Sequence, residues 1–402
     1  MRDLKNLIYF EGLLDNPDNE LVKKASEDGR KALGYTCFYI PEVLLNLDNC
    51  FSVRLRAPNV GSIDIATYYM SNYTCEFCRT ILEDAIEGGF QFLDALAEPD
   101  ACSAMNRLAE HFELLKVNDK PDFFVTHLEV PYKIEDYTLD MYETQVQIHL
   151  LDELQKRFGT DISDASIRKA VDEHNEVCRI MTELSDMRKL PNPPITGYEY
   201  FVINLCTYCC PKDLLLPKLR ETLEEVRNRK TDPKPWYRAR VEVVGSEIDD
   251  LDLIKMLEDA GAFVVADRFC FGTFPGRQEI ELTDDKPALA QIIEKYLVES
   301  ECARWMSQEK IQQRHDTVDQ LAKDFNADGI IYEQMKYCDF WAFERTMASF
   351  VLHEEYGWPV LSIDRSYRVR GSGQLRTRFQ AFVEALEIKK IRAAAEKGGA
   401  SA

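Results

Sequence analysis

Arg240-Val241-Glu242-Val243-Val244-Gly245-Ser246, the stretch Asp249 to Ala260, Gly261 and then Ala262-Phe263-Val264-Val265-Ala266-Asp267 form the segment on which the fold turns. A β-branched run closed by Gly-Ser, an amphipathic helix and a second apolar run after a glycine turn read as strand, helix, strand. A helix between two strands lets them pair in parallel. The pattern continues through helix Arg304 to Asn326, strand Gly329-Ile330-Ile331-Tyr332, helix Phe340 to Tyr356, strand Pro359 to Asp364 and a last helix from Gln374. Residues 236–392 are therefore expected to form one α/β domain, with 393–402 a disordered, small-residue tail.

The same alternation occupies 34–132. Strands are predicted at Tyr35 to Ile40, Phe51 to Arg56, Phe92 to Leu96 and Phe123 to His127. Helices are predicted at Pro41 to Asp48, Ile63 to Met70, after Thr74 and at Ser103 to Leu115. Between the two domains, 133–235 reads as a helical section with helices Leu139 to Phe158, Ser163 to Lys189 and Lys212 to Lys230, broken by Pro191-Asn192-Pro193-Pro194. Residues 1–33 are expected to be an N-terminal helical segment. The fold class is thus α/β, with two doubly wound parallel-sheet (Rossmann-like or flavodoxin-like) domains flanking helices. Similar halves suggest an internal duplication, although no repeat is legible in the residues.

At 402 residues and 45% hydrophobic content, the chain can bury roughly three quarters of its unfolded surface, and more than one core is expected. Seventy acidic against 49 basic residues give a net charge of −21, which repels nucleic acid. Nowhere do about eighteen apolar residues run together, so no membrane span is expected, and the broken apolar start Met1 to Phe10 is too short for a secretion signal. A cytoplasmic location follows as the expectation. Twelve cysteines are then conspicuous, because unpaired thiols in a reducing compartment are either small buried hydrophobes or ligands.

Open parallel sheets bind ligands beyond the carboxyl ends of their strands. Cys75, Cys102, Cys270 and Cys338 fall at such places, and a helix N-terminus favours the thiolate. Cys37 (read as lying within a strand), Cys50, Cys178 (within a helix) and Cys302 read as core residues. The Cys75-x-x-Cys78 pair is open to other readings, a redox dithiol or half of a zinc site with Cys206-x-x-Cys209-Cys210 as the other half. Gly245-Ser246-Glu247 and Phe271-Gly272-Thr273-Phe274-Pro275-Gly276 lack the dinucleotide spacing, which disfavours a nicotinamide enzyme. Gly371-Ser372-Gly373 is either a phosphate cradle or a helix-entry turn. Beside it, Arg365, Arg368, Arg370, Arg376 and Arg378 favour an anionic small ligand. No Cys-His or Ser-His-Asp pattern is visible, and His111, His127, His174 and His315 read as structural.

Tyr39-Ile40-Pro41-Glu42 followed by Val53-Arg54-Leu55-Arg56, Ser62-Ile63-Asp64 leading to Cys75, and Phe92-Leu93-Asp94 leading to Cys102 resemble the iron-sulfur subunits of 2-hydroxyacyl-CoA dehydratases and benzoyl-CoA reductases. The resemblance continues through His174-Asn175-Glu176, Gly245-Ser246, Val264 to Asp267, Asp328 to Ile331 leading to Cys338, and Gln374 to Arg378. It implies a [4Fe-4S] cluster held by Cys75, Cys102 and Cys338, with one iron left open. Cys78 is a further thiol that would close that position, and relatives with a fused double cluster belong to the same family. The implied activity is loss of water from an (R)-2-hydroxyacyl-CoA through a ketyl radical, which acidifies an otherwise unreactive β-proton. The alternative is a ring-reducing, double-cluster or electron-relay subunit. Implied partners are a related second subunit in a heterodimer, an ATP-dependent iron-sulfur activator and the acyl-CoA, with flavin as an allowed additional cofactor of the complex. Glu42 is the expected substrate-facing polar group or a first-turn helix acid. Arg54 and Arg56 are expected to meet the CoA phosphates or to edge the sheet.

Overall fold

The computed structural model describes residues 4–57, 59–231, 234–273, 277–367 and 372–399. Two four-stranded parallel sheets carry the molecule. The first joins β1 (Lys31–Tyr35), β2 (Cys50–Arg54), β3 (Ala95–Pro99) and β4 (Phe124–Leu128) in the order β2-β1-β3-β4. The second joins β5 (Ala239–Val244), β6 (Ala262–Arg268), β7 (Gly329–Met335) and β8 (Val360–Arg365) in the order β6-β5-β7-β8. The two orders are the same, so the expected duplication is present in topology. Every residue of β2, β3, β5, β6 and β7 is buried, as a sheet covered on both faces requires.

Among the described residues, fifteen helices surround the sheets: α1 (Leu7–Leu14), α2 (Glu20–Glu27), α3 (Ala66–Tyr69), α4 (Glu76–Ile86), α5 (Ser103–Leu114), α6 (Asp136–Val146), α7 (Asp152–Phe158), α8 (Asp164–Asp186), α9 (Gly197–Cys209), α10 (Lys212–Asn228), α11 (Leu251–Asp259), α12 (Ala288–Val298), α13 (Gln308–Asp324), α14 (Asp339–Glu354) and α15 (Gly373–Gly399). The helix expected over Leu139 to Phe158 is α6 and α7 joined by a π-helical turn, and it stops at Gly159, whose φ of 68° is left-handed. The segment 393–402, expected to fray, begins inside α15, where Ala393-Ala394-Ala395 are strong helix formers.

Several boundaries differ from the sequence reading for local reasons. β1 ends at Tyr35, and the apolar run beyond it turns away from the ladder to bury Tyr39 and Ile40 in a loop core, so Cys37 is not in a strand. β3 starts three residues later than expected, because Asn118 Nδ2 holds the carbonyls of Phe90 and Leu93 at 3.0 and 3.1 Å in the preceding turn. Helix α9 is hidden by its composition: thirteen residues, all but Tyr198 buried, give it no polar stripe to read. Its start is nevertheless well encoded, since Thr196 and Glu199 form a capping box. Arg368, Arg370, Gly371 and Phe274-Pro275-Gly276 lie outside the described residues.

Candidate metal centre at the strand ends

The three expected ligands occupy one structural position, used three times. Cys75 is the N-cap of α4, Cys102 the N-cap of α5 after β3, and Cys338 the N-cap of α14 after β7. The N–H of Met105 donates to Cys102 Sγ at 3.4 Å. First-turn amides face the other two sulfurs in looser geometry, Phe77 and Cys78 at Cys75 and Trp341 at Cys338. Two α/β units therefore direct helix N-termini at one neighbourhood, an arrangement that favours thiolates.

Burial works against ionisation there. It pushes the Cys102 thiol up, and it pushes Cys338 well above the usual thiol range, with the charge of Cys75 adding to both. Cys75 instead is held down, because the Cys78 thiol donates to it and outweighs burial, and Cys78 is raised in turn. All four thiols thus act on a common space. Among the described residues no three His, Cys, Asp or Glu side chains stand close enough to share one metal ion. Three cysteines at helix N-termini are the kind of donor that a [4Fe-4S] cluster takes.

Two carboxyls that the sequence reading passed over sit beside these thiols. Glu98, fully buried at the end of β3, accepts a hydrogen bond from Thr36 Oγ1 through Oε2, while Oε1 has no partner among the described residues. Burial pushes its pKa up to about 8, with Asp100 and Glu247 adding. Glu247, just after β5, is pushed up to about 7 by burial against the opposing pull of Arg54. Both are neighbours of the cysteines: Glu98 acts on Cys102 and Cys78, Glu247 on Cys75 and Cys338. Groups that titrate near neutrality inside a buried site are suited to holding and moving protons. Their signals in the sequence are weak, a Glu-Pro pair at a strand end and the residue after Gly245-Ser246.

Glu42 lies elsewhere, in a 3-10 turn over Glu42–Leu45, and is buried. Its carboxylate is ion-paired with Lys212 at the start of α10, accepts from Asn46 Nδ2 at 2.7 Å and Ser52 Oγ at 2.8 Å, and faces His174 Nδ1 at 3.6 Å. Burial alone would raise its pKa, but Lys212 and His174 hold it well below the carboxylate range. His174 Nε2 in turn meets Cys178 Sγ at 3.3 Å. Burial would lower the His174 pKa; Cys178 and Glu42 together push it up to about 9. This Lys-Glu-His-Cys chain joins α8 and α10 to the first sheet. Its sequence signal is His174 and Cys178 four apart on one helix face, a Cys-His pair that is not legible until the helix is formed.

Arg54 and Arg56 are buried between the two units. Arg54 donates to Thr36 O at 3.1 Å, to Cys270 O at 2.6 Å and to Glu247 Oε2 at 3.3 Å, with its guanidinium 3.9 Å from the Phe271 ring centroid. Arg56 donates to Asp249 O at 2.8 Å and pairs with its carboxylate at 3.3 Å. It borders a cleft of about 510 Å³ whose wall also carries Glu11, Asp15, Asp250 and Asp252, a surface that repels phosphates. No described helix is long and apolar enough to cross a membrane.

The chain is similar to known proteins over most of its length. The profile of the family "2-hydroxyglutaryl-CoA dehydratase, D-component" matches residues 37–386. The (R)-phenyllactyl-CoA dehydratase beta subunit of Clostridium sporogenes is 25% identical over 382 residues, covering 94% of this chain and 97% of that one. The beta subunit of (R)-2-hydroxyglutaryl-CoA dehydratase from Acidaminococcus fermentans is 23% identical, covering 94% and 98%. A component of the benzoyl-CoA reductase of Thauera aromatica is 20% identical, covering 81% and 83%. With two matched sheets, a match over most of its length and relatives aligned nearly end to end, the chain belongs to the 2-hydroxyglutaryl-CoA dehydratase D-component family.

Proposed function

We propose that the chain is one subunit of an iron-sulfur (R)-2-hydroxyacyl-CoA dehydratase, working beside a related second subunit and started by an ATP-dependent iron-sulfur activator. The observation that carries this reading is that Cys75, Cys102 and Cys338, three helix N-caps drawn from both α/β units, lie within one another's electrostatic fields, with Glu98, kept protonated by burial, acting on Cys102 as well. When bound, a [4Fe-4S] cluster supplies low-potential one-electron chemistry at the acyl thioester, the route to a ketyl radical from which the 2-hydroxyl leaves.

The chain's own residues do the rest. The helix N-termini and first-turn amides orient and stabilise the three thiolates. Glu98 holds a proton at its carboxyl near neutral pH, and its unpartnered Oε1 is the atom available to donate to a leaving oxygen or accept from a β-carbon. Thr36 fixes the carboxyl rotamer through Oε2. Arg54 and Arg56 brace the junction between the units, and the Glu42 network anchors the helical section; both keep the site shape that the chemistry needs.

The test is anaerobic purification together with the second subunit, with iron and acid-labile sulfide measured on the complex. Cys102→Ala is expected to lose the cluster and at least about 100-fold of dehydration activity while the apo-chain still folds. A wild-type complex without acid-labile sulfide would overturn the proposal. One observation favours the relay reading: Cys78, in the first turn of α4, lies in the electrostatic fields of both Cys75 and Cys102. If Cys78→Ser loses the cluster, Cys78 is a fourth ligand and this chain relays electrons.

A further inference from the structure

His174 and Cys178 stand one helical turn apart on α8, and the sulfur meets Nε2 of the ring at 3.3 Å. Across the ring, Nδ1 is 3.6 Å from Oε2 of Glu42, whose other oxygen is ion-paired with Lys212. Cysteine, histidine and carboxylate thus stand in sequence. That is the order in which a thiol is activated as a nucleophile, with a base beside the sulfur and a third group that orients the base. The other buried cysteines outside the metal centre have different company. Cys50 Sγ meets Thr160 Oγ1 at 3.3 Å, and Cys206 Sγ and Cys209 Sγ face the carbonyls of Phe10 and Arg54.

The charges around the sulfur agree with an ionised pair. Burial would raise the Cys178 thiol, but His174, and after it Arg277, hold it below the ordinary value. Glu42 opposes the thiolate and stabilises the imidazolium. Cys50 is as deeply buried and has no such partner, so its thiol is pushed up to about 11.

The room beside the pair selects the reagent. His174 lines a cavity of about 40 Å³ together with Phe38, Gln278, Ile280, Tyr296 and Glu299. Gln278 O lies 3.4 Å from Nε2, the nitrogen that meets the sulfur, and Gln278 and Glu299 are exposed. The cavity therefore runs from solvent to the pair. Its volume is that of a few waters, which admits hydrogen peroxide and excludes a thioester or a peptide. A metal ion is the wrong occupant, because no three donors among the described residues stand close enough to share one.

We propose that Cys178 is a peroxide-reactive thiol, activated by His174 and Glu42 and converted by hydrogen peroxide to the sulfenic acid. The thiolate attacks one peroxide oxygen, an S–O bond forms and the O–O bond breaks. His174 Nε2–H gives its proton to the departing hydroxide, which leaves as water. Sulfur is oxidised by two electrons and peroxide is reduced by two, with Cys178 left as S–OH and His174 as neutral imidazole. The inference stands apart from the dehydratase reading, since it needs neither cluster nor substrate.

The full chain, free of iron, is treated with hydrogen peroxide, stopped with catalase at intervals and unfolded in urea with dimedone and iodoacetamide. Peptide mass spectrometry then gives the rate of oxidation at each cysteine. Cys178 should react at least about tenfold faster than Cys50 and appear as the dimedone adduct of S–OH. His174→Gln should slow Cys178 about tenfold or more and leave Cys50 unchanged. Equal rates at Cys178 and Cys50 overturn the proposal, as does an unchanged Cys178 rate in a folded His174→Gln chain. Should that variant fail to fold, the ultraviolet absorbance of thiolate decides. Near neutral pH the wild type should exceed Cys178→Ser by one thiolate per chain, and equal absorbance overturns the proposal.

Discussion

At the tip of β3 the Thr36 hydroxyl donates to Glu98; at the tip of β7 the Ser246 hydroxyl donates to Glu333 at 2.9 Å. Each acid is followed within five residues by a cysteine that caps the next helix. The two halves nevertheless treat the acid differently. Glu333 is ion-paired at 2.7 Å with Arg365, which stands at the end of β8, and both side chains are fully buried. Leu128 ends β4 in the first half, and no described cation pairs with Glu98. One half has used its buried carboxyl as structure. The other has left it uncompensated beside the thiols, where it stays protonated close to neutral pH.

The harshest way to break this comparison is Arg365→Met, which strands Glu333 in the interior. A loss of about 3–5 kcal/mol is expected in urea unfolding, because a buried partner is left uncompensated. A loss under about 1 kcal/mol would mean that the two halves do not differ as described. Glu98→Gln sharpens the comparison through pH. The folded pKa of about 8 lies above the ordinary value of 4.5, so the folded state binds the extra proton between these limits. Wild-type stability from this group is then present at low pH and is lost as pH rises from about 4.5 to about 8. Glu98→Gln should be more stable than wild type at pH 8 by on the order of 1 kcal/mol or more, with a flatter profile. The slope that remains belongs to the other carboxyls that burial raises, among them Glu247 at about 7, Glu258 at about 8 and Asp84 at about 6. Equal urea midpoints for the two proteins at pH 5 and pH 8 alike would contradict the assignment. The smallest effect separates the two hydroxyls. Ser246→Ala loses a donor to Glu333 and an acceptor for Met335 N, whereas Thr36→Val loses only the bond to Glu98. Costs of about 2 and about 1 kcal/mol are expected in that order from thermal unfolding of the apo-chain.

Gly245 shows why some of this lies beyond a reading of the sequence. It has the look of a turn glycine, but a Cβ there would lie 2.6 Å from both the Glu333 carbonyl and its carboxylate, so the position is needed for close approach of β7. Glu333 is 88 residues away in sequence, and nothing local announces it. Arg54 and Arg56 likewise advertise charge, while their partners at Glu247, Cys270 and Asp249 come from the other α/β unit. Cys102 and Cys338 are legible as helix starts because their signal is local, a cysteine between the end of a strand and the start of a helix, and Cys75 because it stands directly before the helix formers of α4. Cys37 is not, because an apolar run after β1 resembles a strand until the loop core around Tyr39 takes it up.

The alternation of apolar runs and capped helices was enough to determine two parallel sheets and the helical section between them, whereas the choice of Cys75, Cys102 and Cys338 over Cys270 came from the family resemblance. The sheets and helices depend on periodicity and on the residues adjoining each element, which are short-range properties of the chain. Which acids are paired and which are left protonated, and which cysteines gather into a group, were decided only when the two sheets packed tip to tip. Burial and electrostatic fields depend on distances between residues far apart in sequence, and these exist only in the folded molecule.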